Sequence, residues 1–384
     1  MAGEYIFSLQ RVTKQYNRVA VLNDISLSFF FGAKIGVIGG NGSGKSTLLR
    51  ILGGIDRDVL GSAYLAPNVR VGYLPQEPQL DPTKTVTEIV DEGVASSRAV
   101  LKRYDEVCDL LAAKLPPDET AKLNDELGII QDKIDNNNLW ELDHAVELAM
   151  DALRLPPGDM SVATLSGGEK RRVALCRLLI SNPDALLLDE PTNHLDAESV
   201  GWMELYLKKF KGTVVVVTHD RYFLHNVTAW ILELEGGHAF PFKGNYGDWL
   251  VQKQALLERE AKQASSRNKL LEQELKWVRL NPSARQAKGK ARLNRYEELV
   301  NQTVDTREDN LQIRIPPGPR LGNLVVSAKN LTKSFGERLL FEDVNFDLPP
   351  GGIVGVIGGN GAGKTTLFRM ILKQDEATSG QLTV

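Results

Sequence analysis

The sequence predicts an α/β fold in which two glycine-rich loops each join a buried strand to a helix. Three observations predict it. The stretch Gly39-Gly40-Asn41-Gly42-Ser43-Gly44-Lys45-Ser46-Thr47 separates an apolar run, Ile35 to Ile38, from a helical pattern opening at Gly44. Gly358-Gly359-Asn360-Gly361-Ala362-Gly363-Lys364-Thr365-Thr366 repeats it at a constant offset, since 364 − 45 and 335 − 16 both give 319. Two more apolar runs, Ala185 to Leu188 and Val214 to Val217, end in Asp189-Glu190 and Thr218-His219, at the strand ends where open α/β sheets bind ligands. A whole strand–loop–helix unit returning at that spacing means two nucleotide-binding domains in tandem.

The loop composition follows from its chemistry. Glycines let the backbone curl until several N–H groups point inward at a polyphosphate. The helix start adds its positive end. Lys45 and Lys364 can reach β- and γ-phosphates, and the hydroxyls of Ser46 and Thr365 can hold Mg²⁺. The chain has 384 residues, room for two or three domains, and a net charge of −3, which excludes a globally basic nucleic-acid-binding surface. Cys108 and Cys176 have no metal-ligand spacing, no apolar run is long enough to span a bilayer, and Met1 to Phe7 is no signal peptide. A cytoplasmic protein without disulfides is expected, neither a membrane channel nor exported.

In chain order, Tyr5 to Phe31 reads as strands, Phe7 to Val12 and Ile25 to Phe31 being the clearest. Tyr16, with Phe335 as its counterpart, either stacks on an adenine or packs on the sheet. Val69 to Leu74 is a strand that delivers Gln76, which either touches Mg²⁺ and the attacking water or is solvated. Val86 to Leu155 is helical by period, broken at Pro116-Pro117 and at Asn136-Asn137-Asn138, so two antiparallel helices form an inserted arm or a plain helical subdomain. Leu165-Ser166-Gly167-Gly168-Glu169 opens the helix Lys170 to Ile180 with a capping box between Ser166 and Glu169, and its free N–H groups make a second anion site. Asp189 can hold Mg²⁺ through water, Glu190 can take the proton of an attacking water, and His219 is placed to contact a γ-phosphate. His144, His194, His225 and His238 read as structural or solvated.

Phosphate loop, Gln76, Leu165–Glu169, Asp189-Glu190, Asn193-His194-Leu195-Asp196 and His219, in that order, resemble one complete nucleotide-binding domain of the ATP-binding cassette superfamily. The Leu-Ser-Gly-Gly signature is that family's hallmark. The resemblance implies the P-loop NTPase fold and ATP and Mg²⁺ as cofactors. It also implies two cassettes closing face to face, with each ATP between one phosphate loop and the other signature, Glu190 as general base and His219 on the γ-phosphate. Domains are expected at 1–242, with the arm at about 93–138, at 243–322 and at 323–384.

The segment 243–322 carries Leu250, Leu257, Ala264, Leu271 and Val278 at heptad spacing, an interruption at Asn281-Pro282, and a second helix from Ser283 to Val300. At the tip of this helical hairpin Lys276, Arg279, Arg285, Lys288, Lys290, Arg292 and Arg295 stand without an acidic residue among them, either a nucleic-acid phosphate contact or a solvated face. Paired cassettes joined by such a linker resemble the ABC-F translation factors, and Trp277-Val278-Arg279 through Arg295-Tyr296-Glu297-Glu298 is very similar to the linker of the energy-dependent translational throttle type. That type implies a ribosome-binding ATPase in the exit site of the 70S ribosome, its linker on peptidyl-site tRNA and 23S rRNA, its arm on the ribosomal stalk protein nearby. The alternatives are a ribosome-protection factor conferring antibiotic resistance, the ATPase subunit of a membrane transporter, and a non-catalytic module gated by ATP. The second cassette stops soon after its phosphate loop, without a second signature, carboxylate pair or histidine. A truncated chain is therefore expected, with slow hydrolysis unless two first domains dimerise, the full-length form being a monomer. A β-α start cannot complete a parallel sheet by itself.

Overall fold

The structure, a computed structural model, describes residues 5–17, 19–112, 117–136, 138–259, 262, 324–336 and 338–384. The chain divides into two compact units, Met1–Tyr246 with Val325–Val384, and Gly247–Leu324.

Six strands form the central sheet of the first unit: β3 (Lys34–Gly39), β5 (Val71–Leu74), β6 (Ala185–Asp189), β7 (Thr213–Val217), β8 (Trp230–Glu235) and β9 (His238–Lys243), in the order β5-β6-β7-β3-β8-β9. All neighbours run parallel except β8 and β9. Its strands read as unbroken apolar runs because both faces are covered. Leu186, Leu188, Val214 and Val216 face one hydrophobic cluster; Ala185, Leu187, Val215 and Val217 face another. The first cluster is closed by α2 (Val86–Ala112), α4 (Leu142–Ala152), α5 (Gly167–Ile180), α6 (Ala197–Lys209) and α7 (Arg221–Val227). The second is closed by α1 (Lys45–Leu52) and by an antiparallel sheet of β1 (Tyr5–Tyr16), β2 (Val19–Phe30) and β4 (Leu60–Leu65). Strand β4 escapes sequence reading because all six of its residues are exposed, leaving no alternation.

The arm is α2 packed on α3 (Pro117–Asn136) around its own small core of Val107, Ile130, Ile134 and Leu139. Pro117 opens α3, where a missing N–H costs nothing.

Residues 325–384 repeat the antiparallel sheet as β11-β10-β12, with β10 (Val326–Phe335), β11 (Arg338–Leu348) and β12 (Ser379–Thr383), followed in space by the helix Lys364–Ile371. They do not repeat β3. Gly355-Val356-Ile357-Gly358 matches Gly36-Val37-Ile38-Gly39 residue for residue, yet 353–358 form no strand, and Ile353 and Ile357 are 99% and 94% exposed. In the first cassette that segment is held by β7 and β8 on either side. Residues identical to those of β3 are therefore exposed and outside any strand here.

A helix over 246–259 is described, of which 247–259 belong to the second unit. It starts after Lys243, which ends β9 opposite Trp230. Leu250 and Leu257, two of the heptad positions, are exposed. The returning helix and the whole basic tip, Lys276 to Arg295, lie outside the described residues. Among the described residues no helix is long and apolar enough to cross a membrane.

Candidate active site

The first glycine-rich loop leaves β3 and turns into α1 through three left-handed glycines, Gly39 (φ 155°), Gly42 (79°) and Gly44 (96°). Gly44 has no room for a side chain: a Cβ there would stand 2.8 Å from both Leu22 Cδ2 and Val21 Cγ1. The second loop adopts the same turn, with Gly358, Gly361 and Gly363 at 156°, 79° and 92°. Loop conformation is therefore local and survives the loss of the strand before it. The lysines match too. Lys45 Nζ donates to the carbonyls of Gly39 and Gly40 at 2.8 and 2.9 Å; Lys364 Nζ donates to Gly358 and Gly359 at 2.7 and 2.8 Å. Each ammonium waits at the rim of its own loop.

One cavity of about 600 Å³ gathers Tyr16, Asn41, Gly42, Gly44, Lys45, Ser46, Thr47, Gln76, Asp189, Glu190 and His219. These come from five places in the chain, brought together because the parallel strands β3, β6 and β7 all end on the same side. Asp189 and Glu190 are buried while the His219 side chain is 68% exposed, its Nε2 3.4 Å from Glu190 Oε1. Glu190 holds a left-handed backbone, φ 53°, which a non-glycine residue keeps only when its surroundings insist. They do: its N–H donates to Val217 O at 2.7 Å, and its carbonyl accepts from Arg171 Nη2 at 2.7 Å.

Arg171 was invisible to motif reading. It is 5% exposed, and its guanidinium also donates to the carbonyls of Gln76 and Asp189. One side chain on α5 thus holds the backbone of three residues of the cavity. Burial lowers its pKa, offset by the nearby carboxylates of Asp189 and Glu190.

Ser166 and Glu169 form the predicted capping box. Ser166 N–H donates to Glu169 Oε2 at 2.8 Å and Ser166 Oγ accepts from Glu169 N–H at 3.3 Å. The Ser166 hydroxyl and N–H hold the Glu169 carboxyl below its usual range. Ser166, Gly167, Gly168 and Glu169 do not line the cavity of the first loop. His194 lies against Gly168, where an added Cβ would meet His194 Cβ at 3.3 Å, and its carbonyl accepts from Asn360 Nδ2 of the second loop at 2.8 Å. That placement has no signal in the sequence. The second loop lines its own cavity with Phe335, Leu340, Asn360, Gly361, Gly363, Lys364, Thr365 and Thr366, and no carboxylate joins them.

Ser46, Gln76 and Asp189 offer a hydroxyl, an amide carbonyl and one carboxylate around one space, the hard oxygen set that suits Mg²⁺ when phosphate oxygens and water complete the shell. Among the described residues no group of three or more His, Cys, Asp or Glu could hold a metal ion. Ser43 Oγ is buried without a partner among the described residues, a polar atom left over in the cradle itself.

A family model described as "ABC transporter" matches residues 22–193 and 341–384, and a second with the same description matches 232–315. The energy-dependent translational throttle protein of Escherichia coli (strain K12) is 53% identical over 383 residues, 100% of this chain and 69% of its own length. That of Mycobacterium tuberculosis (strain ATCC 25618 / H37Rv) is 50% identical over 383 residues, 100% of this chain and 68% of its own. The ATP-binding protein ChvD of Rhizobium radiobacter is 57% identical over 267 residues, 70% of this chain and 92% of its own.

Proposed function

The chain belongs to the ABC transporter family of ATP-binding cassette ATPases and, within it, to the ABC-F proteins of energy-dependent translational throttle type; from that premise we propose that it is a cytoplasmic translation factor that couples ATP hydrolysis to its attachment to the 70S ribosome. The observation that carries this reading is a 53% match to a translational throttle protein that runs through the linker as well as the cassettes.

In this reading Lys45 leaves the carbonyls of Gly39 and Gly40 for the β- and γ-phosphates. The loop N–H groups and the start of α1 hold the remaining oxygens. Tyr16, 42% exposed at the cavity rim, offers a ring face to the adenine. Glu190 accepts the proton of the attacking water, its backbone held by Arg171 and its carboxylate accepting from the His219 N–H at 3.4 Å. His219 touches the γ-phosphate, and Gln76 orients water at the same place. Ser46, Gln76 and Asp189 would hold Mg²⁺, which when bound would supply neutralising charge for the transferring phosphoryl group. The signature Ser166–Glu169 closes on the nucleotide of the second loop, Gly358 to Thr366.

The exit site is the proposed seat. There the basic tip, Lys276, Arg279, Arg285, Lys288, Lys290, Arg292 and Arg295, meets peptidyl-site tRNA and 23S rRNA, and the arm meets the stalk protein. Footprinting of 23S rRNA and peptidyl-site tRNA on ribosomes saturated with protein and a non-hydrolysable ATP analogue tests it. Protections clustered at the exit site are expected. Full RNA reactivity with the protein bound would place it elsewhere.

A further inference from the structure

Lys14 and Lys333 are charged residues buried in equivalent places, 6% and 7% exposed, and neither belongs to a nucleotide-binding motif. Each stands two residues before the aromatic of its cassette. Lys14 Nζ lies 2.9 Å from Asp56 Oδ1, donates to the Asp58 carbonyl at 2.6 Å, and sits 5.3 Å from the centre of the Tyr16 ring. Lys333 Nζ lies 2.6 Å from Asp375 Oδ1, donates to the Glu376 carbonyl at 2.6 Å, and sits 4.7 Å from the centre of Phe335. All three members, lysine, carboxylate and ring, recur at the offset of 319 (14 to 333, 56 to 375, 16 to 335). What does not recur is informative. Asp58, a second carboxylate on Lys14 at 3.3 Å, is replaced by Ala377, so the carboxylate just past the loop helix is the shared partner.

A buried ammonium costs stability unless its hydrogen bonds are met, and here they are met by groups of a single place, the chain just beyond the C-terminal end of the loop helix. The helices Lys45–Leu52 and Lys364–Ile371 begin at the phosphate loops, and Asp56 and Asp375 follow their far ends. Tyr16 adds its own hydroxyl, 3.3 Å from Asp56 Oδ2. The ring's free side stays open: Tyr16 and Phe335 are 42% and 53% exposed, and each lines its loop's cavity.

We propose that Lys14 with Asp56, and Lys333 with Asp375, are positioning residues for the nucleotide base: each pair fixes the aromatic ring relative to the phosphate loop, so that a purine stacks while its triphosphate fills the loop. The cation lies toward the ring from within the protein and the base takes the open side. This rests on the reading of Tyr16 and Phe335 as base platforms.

The test uses the 384-residue chain and two probes, MgATP and inorganic tripolyphosphate with Mg²⁺, which has phosphates and no base. The variants are Lys14→Met with Lys333→Met, and, so that no carboxylate is left unpaired, the same changes combined with Asp56→Asn and Asp375→Asn. Calorimetric Kd for MgATP is expected to weaken about tenfold, the scale of a desolvated cation–ring contact, with tripolyphosphate unchanged within about twofold. Arginine at both lysine positions should recover most of the ATP affinity. Equal weakening of both probes would show a plain staple between strand and helix and overturn the proposal, as would no weakening of either. Tyr16→Ala with Phe335→Ala separates the two levels. If it leaves MgATP affinity unchanged, the platform reading falls and the positioning role with it. If it weakens ATP while the lysine variants do not, only the positioning role falls.

Discussion

Replacing Arg171 by methionine keeps an unbranched apolar stem and removes the guanidinium. The loss can be worked from the structure. Three carbonyls, of Gln76, Asp189 and Glu190, lose a charged donor in a place that water does not reach. Hydrogen bonds to charged groups contribute about 1.5–3 kcal/mol each. Against that, among the described residues Arg171 is buried without a direct carboxylate partner and with its Nε unpaired, so the desolvation cost recovered on removing it is large. The balance is a net destabilisation of about 3 kcal/mol, or a fall in Tm of roughly 6–12 °C for a domain of this size. Hydrolysis should fall further than stability. Gln76 and Glu190 share this one clamp, and a shift of about 1 Å at a catalytic group costs on the order of 100-fold. Arg171→Lys, a single point donor, should restore part of the Tm and little of the rate. Thermal unfolding by circular dichroism and steady-state phosphate release measure the two effects. If Arg171→Met melted within 2 °C of the parent, on the order of one surface substitution, and hydrolysed ATP at its rate, the clamp would have no function.

Two further outcomes follow from charge. Lys34 Nζ donates to the carbonyls of Phe210 and Gly212, both at 2.7 Å, and burial pushes its pKa down to about 8 from 10.5. The folded chain therefore gives up this proton before the unfolded chain does. The cost of holding the cation is complete below pH 8 and fades as pH rises through 8 toward 10.5, so stability relative to Lys34→Met should rise by about 2 kcal/mol across that window in denaturant titrations, and a difference independent of pH would contradict it. Reversing charge at Arg285, Lys288 and Lys290 should weaken ribosome association and reduce the slope of log K against log salt by two to three, about one per phosphate contact; identical salt series would mean the tip faces only solvent.

How much of this was legible depends on how local each signal is. The phosphate loops, the Ser166–Glu169 capping box and the strand that ends in Asp189-Glu190 each lie within a few consecutive residues, and composition alone exposes them. The buried strands β6 and β7 read correctly because both of their faces are apolar. Contacts made by folding were not legible. Arg171 meets a carbonyl 95 positions away, and Lys14 meets a carboxylate 42 positions away; a carbonyl carries no residue identity to search for. His194 reads as an ordinary histidine until Asn360 is found on its carbonyl. The exposed β4 has no apolar period to find. The segment 353–358 marks the opposite limit, since residues that form β3 in one place form no strand in another.

The claim on which the rest depends is that turnover at Glu190 sets how long this protein stays on a ribosome. The direct measurement is the fraction of protein pelleting with 70S ribosomes in MgATP, followed over time, for the parent and Glu190→Gln. The glutamine keeps the shape and loses the base, so the variant should accumulate on ribosomes in ATP while the parent leaves, and the two should behave alike in ADP. Equal release of both proteins in ATP would contradict the account.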